Sequence, residues 1–205
     1  KYFLALAVSE NGYLITINSR GDLFKIDEKY GKVYWSLNVA STKLAQDIDF
    51  FESSDIVIID DEIIFSTSSS TYSLNLQNGY VNWRKDLGSN NIPIIDGSNI
   101  FLVTNNGFLV NLDRDTGEVI YSSNILKILD RKKRKTQVIG YVLGSGKIYS
   151  LTANGYIVIS SASLGNTLNF KKIGSFRKNK TNTSPIISNG SLFILTKNQK
   201  ILGFN

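Results

Sequence analysis

The stretch Asn106-Gly107-Phe108-Leu109-Val110-Asn111-Leu112-Asp113, which continues through Thr116-Gly117-Glu118-Val119-Ile120-Tyr121, predicts two short β-strands. After a turn at Gly107, apolar residues alternate with others, so that Phe108, Val110 and Leu112 share one face of the first strand. A second turn ends at Gly117 and leads into Val119 and Tyr121. A period of two residues is the spacing of a half-buried strand, so this stretch predicts a hairpin.

The hairpin recurs along the chain. Further copies occupy residues 21–27, 69–75, 155–161 and 199–205, and the glycines of the second turn are Gly31, Gly79, Gly117 and Gly165. These glycines are separated by 48, 38 and 48 residues. Repeats of this length indicate supersecondary units that are stable only beside their neighbours.

Each copy extends toward the N-terminus by two more strands. A second apolar alternation precedes the first turn, at Ile15 and Ile17, Ile63 and Phe65, Phe101 and Val103, Tyr149 and Leu151, and Phe193 and Leu195. Turns rich in Gly, Asn and Asp come before these pairs, and such residues supply the positive φ that tight hairpins require. The unit is therefore four antiparallel strands in about forty residues with no helical period, which is the blade of a β-propeller.

The sequence thus predicts an all-β fold, a single propeller of four-stranded antiparallel blades of which this chain carries four to five. The blades are expected at residues 1–38, 55–88, 92–124, 138–172 and 183–205. Two connections, residues 41–54 and 123–138, are longer than the rest. Long loops on a rigid β scaffold commonly carry binding residues, so these two connections are the first candidates for a functional surface.

The composition excludes several kinds of chemistry. The 205 residues include no Cys and no His, which rules out thiolate nucleophiles, imidazole bases, disulfides and the usual zinc ligands. No apolar run approaches the roughly 18 residues of a membrane-spanning helix. Residues 3–8 lack the charged flank and cleavage site of a signal peptide, so this chain leaves open where the protein is sent.

The formal net charge of +6 comes largely from two segments, residues 131–135 and 171–180. A nucleic-acid site would place stacking aromatic residues among the basic ones, and none lies between Lys127 and Gln137. A short basic loop also contributes only about 1 kcal/mol per charge at an anionic membrane surface. The loop is therefore expected to be solvated or to dock on a partner protein, without nucleic-acid binding.

The repeat resembles the pyrrolo-quinoline-quinone-type propeller repeat, in which Leu-Asp is followed by Thr-Gly and then by Trp. The matching residues are Leu112-Asp113, Thr116-Gly117 and Tyr121; Ile26-Asp27, Gly31 and Trp35; and Leu74-Asn75, Gly79 and Trp83. The resemblance implies a quinoprotein-like propeller in which Trp35, Trp83 and Tyr121 wedge between neighbouring blades, a role that suits large flat apolar side chains. The fourth copy departs from the pattern, with Ser160-Ser161 and Asn169-Phe170 in these places.

Residues 74–205 are also similar to the C-terminal half of the BamB family of outer-membrane assembly lipoproteins. The shared features are Arg84-Lys85-Asp86-Leu87-Gly88, Ile94-Ile95-Asp96-Gly97, a Thr-Gly repeat, Asn124-Ile125-Leu126 and Ser191-Leu192-Phe193-Ile194. The resemblance implies an eight-bladed ring on the periplasmic side of the outer membrane, attached through a lipid anchor outside this chain. It also implies binding to the periplasmic domains of the barrel-assembly outer-membrane protein, with an Asp-x-Asp contact loop that Asp47-Ile48-Asp49 matches in chemistry.

Partner binding is predicted in the two long loops. The acidic loop offers Asp47, Ile48, Asp49, Phe50 and Phe51, and the basic loop offers Arg131, Lys132, Lys133, Arg134 and Lys135. Two adjacent phenylalanines in a polar loop either pack into the propeller or dock on a partner, because exposed apolar patches are rare. The leading hypothesis is a non-catalytic scaffold of outer-membrane β-barrel protein assembly. The alternative is an inactive or ligand-binding propeller of another pathway.

A fragment of a quinoprotein dehydrogenase is the enzymatic alternative. Such an enzyme needs Ca²⁺ held by carboxylate and amide ligands, a catalytic Asp, and usually a Cys pair beneath the quinone. The chain has no Cys, and Asp27 and Asp113 are expected to bind turn amides instead. The carboxylates between Asp47 and Glu62 also lack the spacing of a calcium loop. We therefore predict no catalytic residue, no cofactor and no metal site.

Overall fold

The computed structural model describes residues 5–40, 51–129, 135–173, 184–196 and 200–205, which form five antiparallel sheets. We call these sheets blades 1 to 5; in each of them, strands that follow one another in sequence are neighbours. Blade 1 contains β1 (Leu6–Val8), β2 (Tyr13–Ile17), β3 (Asp22–Asp27) and β4 (Val33–Asn38). Blade 2 contains β5 (Val57–Ile59), β6 (Glu62–Ser66), β7 (Thr71–Asn75) and β8 (Val81–Lys85).

The remaining blades follow the same plan. Blade 3 contains β9 (Ile94–Asp96), β10 (Asn99–Val103), β11 (Phe108–Asp113) and β12 (Val119–Asn124). Blade 4 contains β13 (Val138–Gly144), β14 (Lys147–Thr152), β15 (Tyr156–Ser161) and β16 (Thr167–Lys172). Blade 5 contains β17 (Ile186–Ser188), β18 (Ser191–Leu195) and β19 (Ile201–Phe204). The chain divides into two compact units, Lys1–Pro93 (unit 1) and Ile94–Asn205 (unit 2).

The glycines of the second turn close the same backbone loop in blades 1 to 4. Each amide donates to the carbonyl four residues earlier at 2.8 to 2.9 Å: Gly31 to Asp27, Gly79 to Asn75, Gly117 to Asp113, and Gly165 to Ser161. The four φ angles lie between +66° and +74°, a region that glycine adopts without the steric cost that a Cβ brings. This local geometry explains why glycine recurs at this place in the repeat.

Blade 2 has a shorter turn before its third strand. The Thr67 amide donates to the carbonyl of Ser70, three residues later, at 2.7 Å. The corresponding bond in blade 3 spans four residues, from the Thr104 amide to the carbonyl of Phe108. The turn of blade 2 therefore has one residue fewer, and no described residue in it requires a positive φ.

Because of the shorter turn, the predicted alignment of β6 is wrong by one residue. Ile64 pairs with Ser73 and Ser66 pairs with Thr71, so Ile64 and Ser66 are the counterparts of Ile15 and Ile17, and the predicted Ile63 and Phe65 are wrong. A slip of one residue moves every side chain of a strand to the other face. The slip is invisible in the sequence because Ile63, Ile64 and Phe65 are all fully buried.

Two central strands, β11 and β15, are buried on both faces. In β11 the residues Leu109 to Leu112 are all buried, whereas Phe108 is 38% exposed. Strand β15 shows the reason: Tyr156 and Val158 belong to a cluster shared with blade 3, and Ile157 belongs to one shared with blade 5. A strand that is covered by a neighbour on each side reads as a nearly continuous apolar run.

Each unit has its own hydrophobic clusters. The unit 1 cluster combines residues of blades 1 and 2, among them Ile15, Leu23, Ile63, Leu74 and the stacked pair Phe65 and Tyr72. In unit 2, one cluster joins blades 3 and 4 and a second joins blades 4 and 5. Buried tyrosine hydroxyls add hydrogen bonds between blades, from Tyr72 to the Val39 carbonyl and from Tyr141 to the Phe101 carbonyl.

One short helix interrupts the predicted all-strand pattern. Ile125–Ile128 forms a 3₁₀ helix whose N-cap is Asn124; its side-chain oxygen accepts the Leu126 amide at 3.1 Å. Ile125, Leu126 and Leu129 are buried in the cluster between blades 3 and 4, so this turn is held by packing and not by helical periodicity. Within the described ranges, no helix has the length and hydropathy needed to cross a membrane.

Candidate protein-binding loops and blade interfaces

The acidic loop is described only from Phe51 onward. Asp47, Ile48, Asp49 and Phe50 lie outside the described residues. Phe51 is partly buried and packs against the unit 1 cluster, and a Cβ placed on Gly21 would lie 3.0 Å from its Cδ2 atom. Of the two alternatives that the sequence leaves open for this side chain, the structure shows packing into unit 1.

Hydrogen bonds attach the end of the acidic loop to blade 2. The Ser54 amide donates to the Ser66 carbonyl at 2.8 Å, and the Ser54 hydroxyl accepts the Ser66 amide at 3.0 Å. The carboxylate of Glu52 accepts a hydrogen bond from Asn90 Nδ2 at 2.8 Å. The loop therefore ends at a fixed attachment on the rigid scaffold.

The basic loop is described at its two ends. Arg131, Lys132, Lys133 and Arg134 lie outside the described residues, and Lys135 is exposed. The N-terminal end is the 3₁₀ helix, where a Cβ placed on Gly107 would lie 2.4 Å from Leu126 Cδ1. Close packing of Leu126 on Gly107 therefore anchors the loop to the core of unit 2.

The carboxylates that end the third strands bind backbone amides, as the sequence predicts. Asp27 Oδ1 accepts the amides of Lys29 and Tyr30 at 3.0 and 2.7 Å. Asp113 Oδ1 accepts both the amide and the hydroxyl of Thr116 at 2.9 Å. The bond from the Thr116 amide is the largest of the causes that lower the pKa of Asp113, because a hydrogen bond to the ionised form stabilises it.

The same position in other blades shows that this role is structural. Asn75 Oδ1 accepts the Gln77 amide at 2.9 Å, and the Ser161 hydroxyl accepts the Leu164 amide at 3.3 Å. A carboxylate is therefore interchangeable here with an amide or a hydroxyl, which is the behaviour of a turn cap. Asp27 and Asp113 accordingly do not fit the ligand set of a calcium–quinone site. In the part of the chain that the structure describes, no three His, Cys, Asp or Glu side chains come close enough to hold a metal ion.

Trp35, Trp83 and Tyr121 occupy one register position in successive blades, since they lie opposite Lys25, Ser73 and Asn111. Trp83 is 8% exposed. The Trp35 ring spans from blade 1 to blade 2: its Nε1 donates to the Leu76 carbonyl at 3.2 Å, and a Cβ on Gly79 would lie 2.8 Å from the ring. Trp35 therefore packs in the interface between these two blades.

Tyr121 makes the same contact between blades 3 and 4. Its hydroxyl donates to the Ala162 carbonyl at 2.5 Å, and a Cβ on Gly165 would lie 2.4 Å from the ring. Burial raises the pKa of Tyr121 to about 12. The polar atom of each ring is thus paired with a turn carbonyl of the next blade, while the ring itself covers the turn glycine.

Lys25 is a buried cation that residue pattern alone does not single out. Its side chain is 3% exposed, and its Nζ lies 4.0 Å from the centre of the Tyr13 ring and donates to Gln77 Oε1 at 3.3 Å. Burial lowers the pKa of Lys25, and the charge of Asp61 opposes that change. The sequence feature that could have predicted this burial is the alternation of β3, which places Lys25 on the same face as the buried Leu23.

Comparison with known proteins identifies the repeat. A family model described as "Outer membrane protein assembly factor BamB" matches residues 4–123. Among curated relatives, BamB of Escherichia coli (strain K12) is 23% identical over 190 residues, which cover 91% of this chain and 46% of that protein. BamB of Legionella pneumophila (strain Paris) is 24% identical over 183 residues, covering 88% and 45%. The chain spans about half the length of these relatives.

Solved structures support the fold. BamB from Moraxella catarrhalis superposes with a TM-score of 0.70 at 15% identity, covering 100% of this chain and 59% of that chain. The β-propeller domain of Cps50 (Swd1) from Myceliophteria thermophila superposes with a TM-score of 0.69 at 12% identity, covering 100% and 65%. The all-β propeller fold predicted from the repeat is therefore confirmed. Because the family model matches more than half of the 205 residues, this chain belongs to the BamB family of outer membrane protein assembly factors.

Proposed function

We propose that this chain is part of a non-catalytic, protein-binding scaffold that acts in the assembly of outer-membrane β-barrel proteins. The observation that carries the proposal is membership of the BamB family, with relatives named as outer membrane protein assembly factors along 88–91% of this chain. The proposed partner is the barrel-assembly outer-membrane protein, bound through its periplasmic domains. The proposed location is the periplasmic side of the outer membrane, with attachment through a lipid anchor outside this chain.

The chemistry of the described residues supports a scaffold. The strand-ending residues Asp27, Asn75, Asp113 and Ser161 are all engaged by amides of their own turns. Trp35 and Tyr121 fill blade interfaces. The repeat residues are therefore committed to folding, and binding falls to the connections between blades.

The acidic and basic loops are the proposed contact surfaces. Their described ends are attached to the blades, at Ser54 on blade 2 and at Leu126 on Gly107. Apolar side chains usually supply most of the binding energy at an interface, and charges at its rim mainly tune the association rate. We therefore assign Ile48 and Phe50 to affinity, and Arg131 to Lys135 to the association rate.

A pull-down with the purified periplasmic domains of the barrel-assembly protein tests this function. The folded chain is expected to retain these domains. Phe50→Ala is expected to reduce retention, because it should weaken the binding free energy by more than about 1 kcal/mol. Tyr30→Ala is the matched control, because Tyr30 is 75% exposed on a blade turn outside both loops. Circular dichroism establishes that each variant is folded. Absence of retention by the folded parent chain would contradict the proposal.

An activity assay distinguishes the scaffold from the enzymatic alternative, a quinoprotein dehydrogenase. Reconstitution with quinone and Ca²⁺ is expected to give no dye-linked oxidation of alcohols or sugars above a heat-treated control, since Asp27 and Asp113 are held as turn caps and the chain has no His or Cys. Turnover clearly above this control would reject the scaffold hypothesis and support a dehydrogenase.

A further inference from the structure

The chain contains five Asn-Gly dipeptides, whose asparagines are Asn11, Asn78, Asn106, Asn154 and Asn189. Such a pair can react within itself, because the main-chain nitrogen of the glycine can attack the side-chain carbonyl carbon of the asparagine. Glycine permits this attack more readily than other residues, since it has no Cβ to crowd the ring that forms. The fold decides which pair reacts, because the glycine nitrogen must be free to approach the asparagine side chain.

In four of the pairs a backbone hydrogen bond holds the glycine nitrogen. The amide donates to a carbonyl three or four residues earlier at 2.9 to 3.1 Å: Gly12 to Ser9, Gly79 to Asn75, Gly107 to Thr104, and Gly155 to Thr152. Such a bond must break before the nitrogen can act as a nucleophile. Gly79, Gly107 and Gly155 are also buried, which limits the access of water to these pairs.

Side chains restrain three of these four pairs further. Asn78 Oδ1 accepts the Tyr80 amide at 2.9 Å, and Asn154 Oδ1 accepts the Thr152 hydroxyl at 2.7 Å. A Cβ placed on Gly107 would lie 2.4 Å from Leu126 Cδ1, so the backbone at Asn106 has little room to shift. These pairs are therefore expected to be stable in the folded protein.

Asn189 and Gly190 differ from the other four pairs. They form the two-residue turn between β17 and β18, where Ser188 pairs with Ser191, and both are exposed. Their φ angles are +49° and +76°. Among the residues that the structure describes, the Gly190 amide finds no backbone carbonyl to donate to, and a Cβ on Gly190 would meet nothing within 4 Å. Backbone hydrogen bonding and packing therefore leave this glycine nitrogen free to react.

The corresponding turn of blade 4 shows that this openness belongs to the position in the blade. Ser145 and Gly146 connect Gly144 to Lys147, with φ angles of +49° and +69°. Both turn residues are exposed, although blade 4 packs against blade 3 and against blade 5. Within the described ranges, the Gly146 amide also makes no backbone hydrogen bond. A turn of this kind thus stays open when its blade has a neighbour on each side.

We propose that Asn189 is a modification site, at which the folded protein deamidates without an enzyme. The Gly190 nitrogen loses its proton and bonds to Cγ of Asn189, and the side-chain nitrogen leaves as ammonia, which gives a cyclic succinimide. Water then opens the ring at either of its carbonyl carbons and yields aspartate or isoaspartate. The net reaction consumes water and releases ammonia. This site goes beyond the scaffold function and does not rest on it.

Either product changes the first hairpin of blade 5. Both products carry a new negative charge, and isoaspartate also adds a methylene group to the main chain of the turn. The length of a hairpin turn sets the register of its strands, here the pairing of Ser188 with Ser191. The charge and the geometry of this hairpin are therefore expected to change as the protein ages.

The test is peptide mapping of the full chain by mass spectrometry after incubation in mildly alkaline buffer, with fragmentation to locate each amide-to-acid conversion. In the folded chain we expect Asn189 to convert at least about tenfold faster than each of the other four asparagines. In urea, which removes the protection that the fold gives, we expect the five rates to become similar.

Two variants separate the free amide from simple exposure. Ser145→Asn places an asparagine before Gly146 in the open turn of blade 4, and this asparagine is expected to convert about as fast as Asn189. Tyr30→Asn places one before Gly31, which is exposed but whose amide donates to the Asp27 carbonyl at 2.9 Å, and this asparagine is expected to convert as slowly as the four protected ones. Circular dichroism establishes that both variants are folded.

Equal rates for Asn189 and the other four asparagines in the folded parent chain would overturn the proposal, as would the absence of conversion at Asn189. Rapid conversion in a folded Tyr30→Asn variant would also overturn it, because the amide hydrogen bond would then give no protection. Slow conversion in a folded Ser145→Asn variant would do the same for the turn geometry. The comparison within the parent chain needs no variant, so it decides even if both variants fail to fold.

Discussion

At the scale of single residues, the burial of Tyr121 predicts how the free energy of unfolding changes at alkaline pH. Its pKa is raised to about 12, compared with about 10 in an unfolded chain. Below about pH 10 the phenol is neutral in both states, so its stabilising contribution is complete there, and this contribution is lost as the pH rises through the folded pKa. The contribution comes from burying the neutral ring and from the bond to the Ala162 carbonyl.

We expect Tyr121→Phe to lower the free energy of unfolding by about 0.5–1.5 kcal/mol at neutral pH, because the hydrogen bond to Ala162 is removed. The difference from the parent should shrink between about pH 10 and 12, since only the parent has a phenol to ionise at this site. Urea unfolding at a series of pH values measures this. Tyr30→Phe, at a site 75% exposed, is the control for removing a phenol that is not buried; a flat difference for Tyr121→Phe would refute the prediction.

The burial of Lys25 predicts the opposite pH dependence of the free energy of unfolding. Burial lowers the pKa of Lys25, so between that value and about 10.4 the unfolded chain binds more protons than the folded one. The stabilising contribution is complete above the unfolded pKa and is lost as the pH falls through the folded pKa. The groups facing Lys25 are the Tyr13 and Tyr34 rings, Gln77 and the charge of Asp61.

We expect Lys25→Met to be at least as stable as the parent near neutral pH, because an apolar side chain removes the cost of desolvating the ammonium. Its advantage should diminish as the pH rises toward about 10. Lys29→Met, at an exposed lysine two residues after Asp27, provides the comparison in the same urea titrations. An advantage that does not change with pH would show that desolvation of Lys25 is not its source.

At the scale of structural elements, two turn glycines separate backbone strain from packing. Gly31 and Gly79 have similar φ angles of +67° and +74°. A Cβ on Gly31 would meet nothing within 4 Å, whereas one on Gly79 would lie 2.8 Å from the Trp35 ring. We expect Gly31→Ala to cost about 1–2 kcal/mol for the left-handed conformation alone and Gly79→Ala to cost clearly more. Thermal unfolding measures both; equal costs would mean that the ring moves away freely.

The aromatic position of the repeat makes a second prediction at this scale. Trp35→Ala and Trp83→Ala should each lower the free energy of unfolding by about 3–5 kcal/mol, the usual cost of deleting a packed aromatic side chain. Tyr80→Ala is the control, because Tyr80 follows the turn glycine Gly79 but is 74% exposed, and it should change stability by no more than about 0.5 kcal/mol. Denaturant titration followed by circular dichroism provides the values. Losses below about 1 kcal/mol would contradict the packing role.

At the scale of the whole molecule, the charge distribution predicts how partner binding responds to salt. The formal net charge is +6, and replacing the five basic residues 131–135 by Glu changes it by ten, to −4. We expect this variant to associate more slowly with an acidic partner surface and to lose much of the salt dependence of the association rate, while the dissociation rate changes less. Surface plasmon resonance at low and high salt measures both rates.

The control reverses Lys29 and Lys32, which lie on an exposed turn of blade 1 outside both candidate loops. If the effect per reversed charge is the same in the loop variant and in this control, it reflects net charge and not the position of the basic loop. If neither variant alters the association rate, the contact surface lies elsewhere in the protein.

The local backbone of the repeat was readable from the sequence. Gly31 and its three counterparts and the capping groups at Asp27 and Asp113 all depend on residues within a few positions of one another. Turn geometry is set by which residues tolerate positive φ and which side chains reach the nearby amides. These properties belong to short segments, so their pattern survives in the sequence and predicts the blades.

Burial was decided by the tertiary structure. The second buried face of β15 and the interior position of Lys25 both depend on a neighbouring blade distant in sequence. An alternating pattern records that a side chain points to one side of a sheet; whether another sheet covers that side is set by packing between blades, which short-range spacing does not encode.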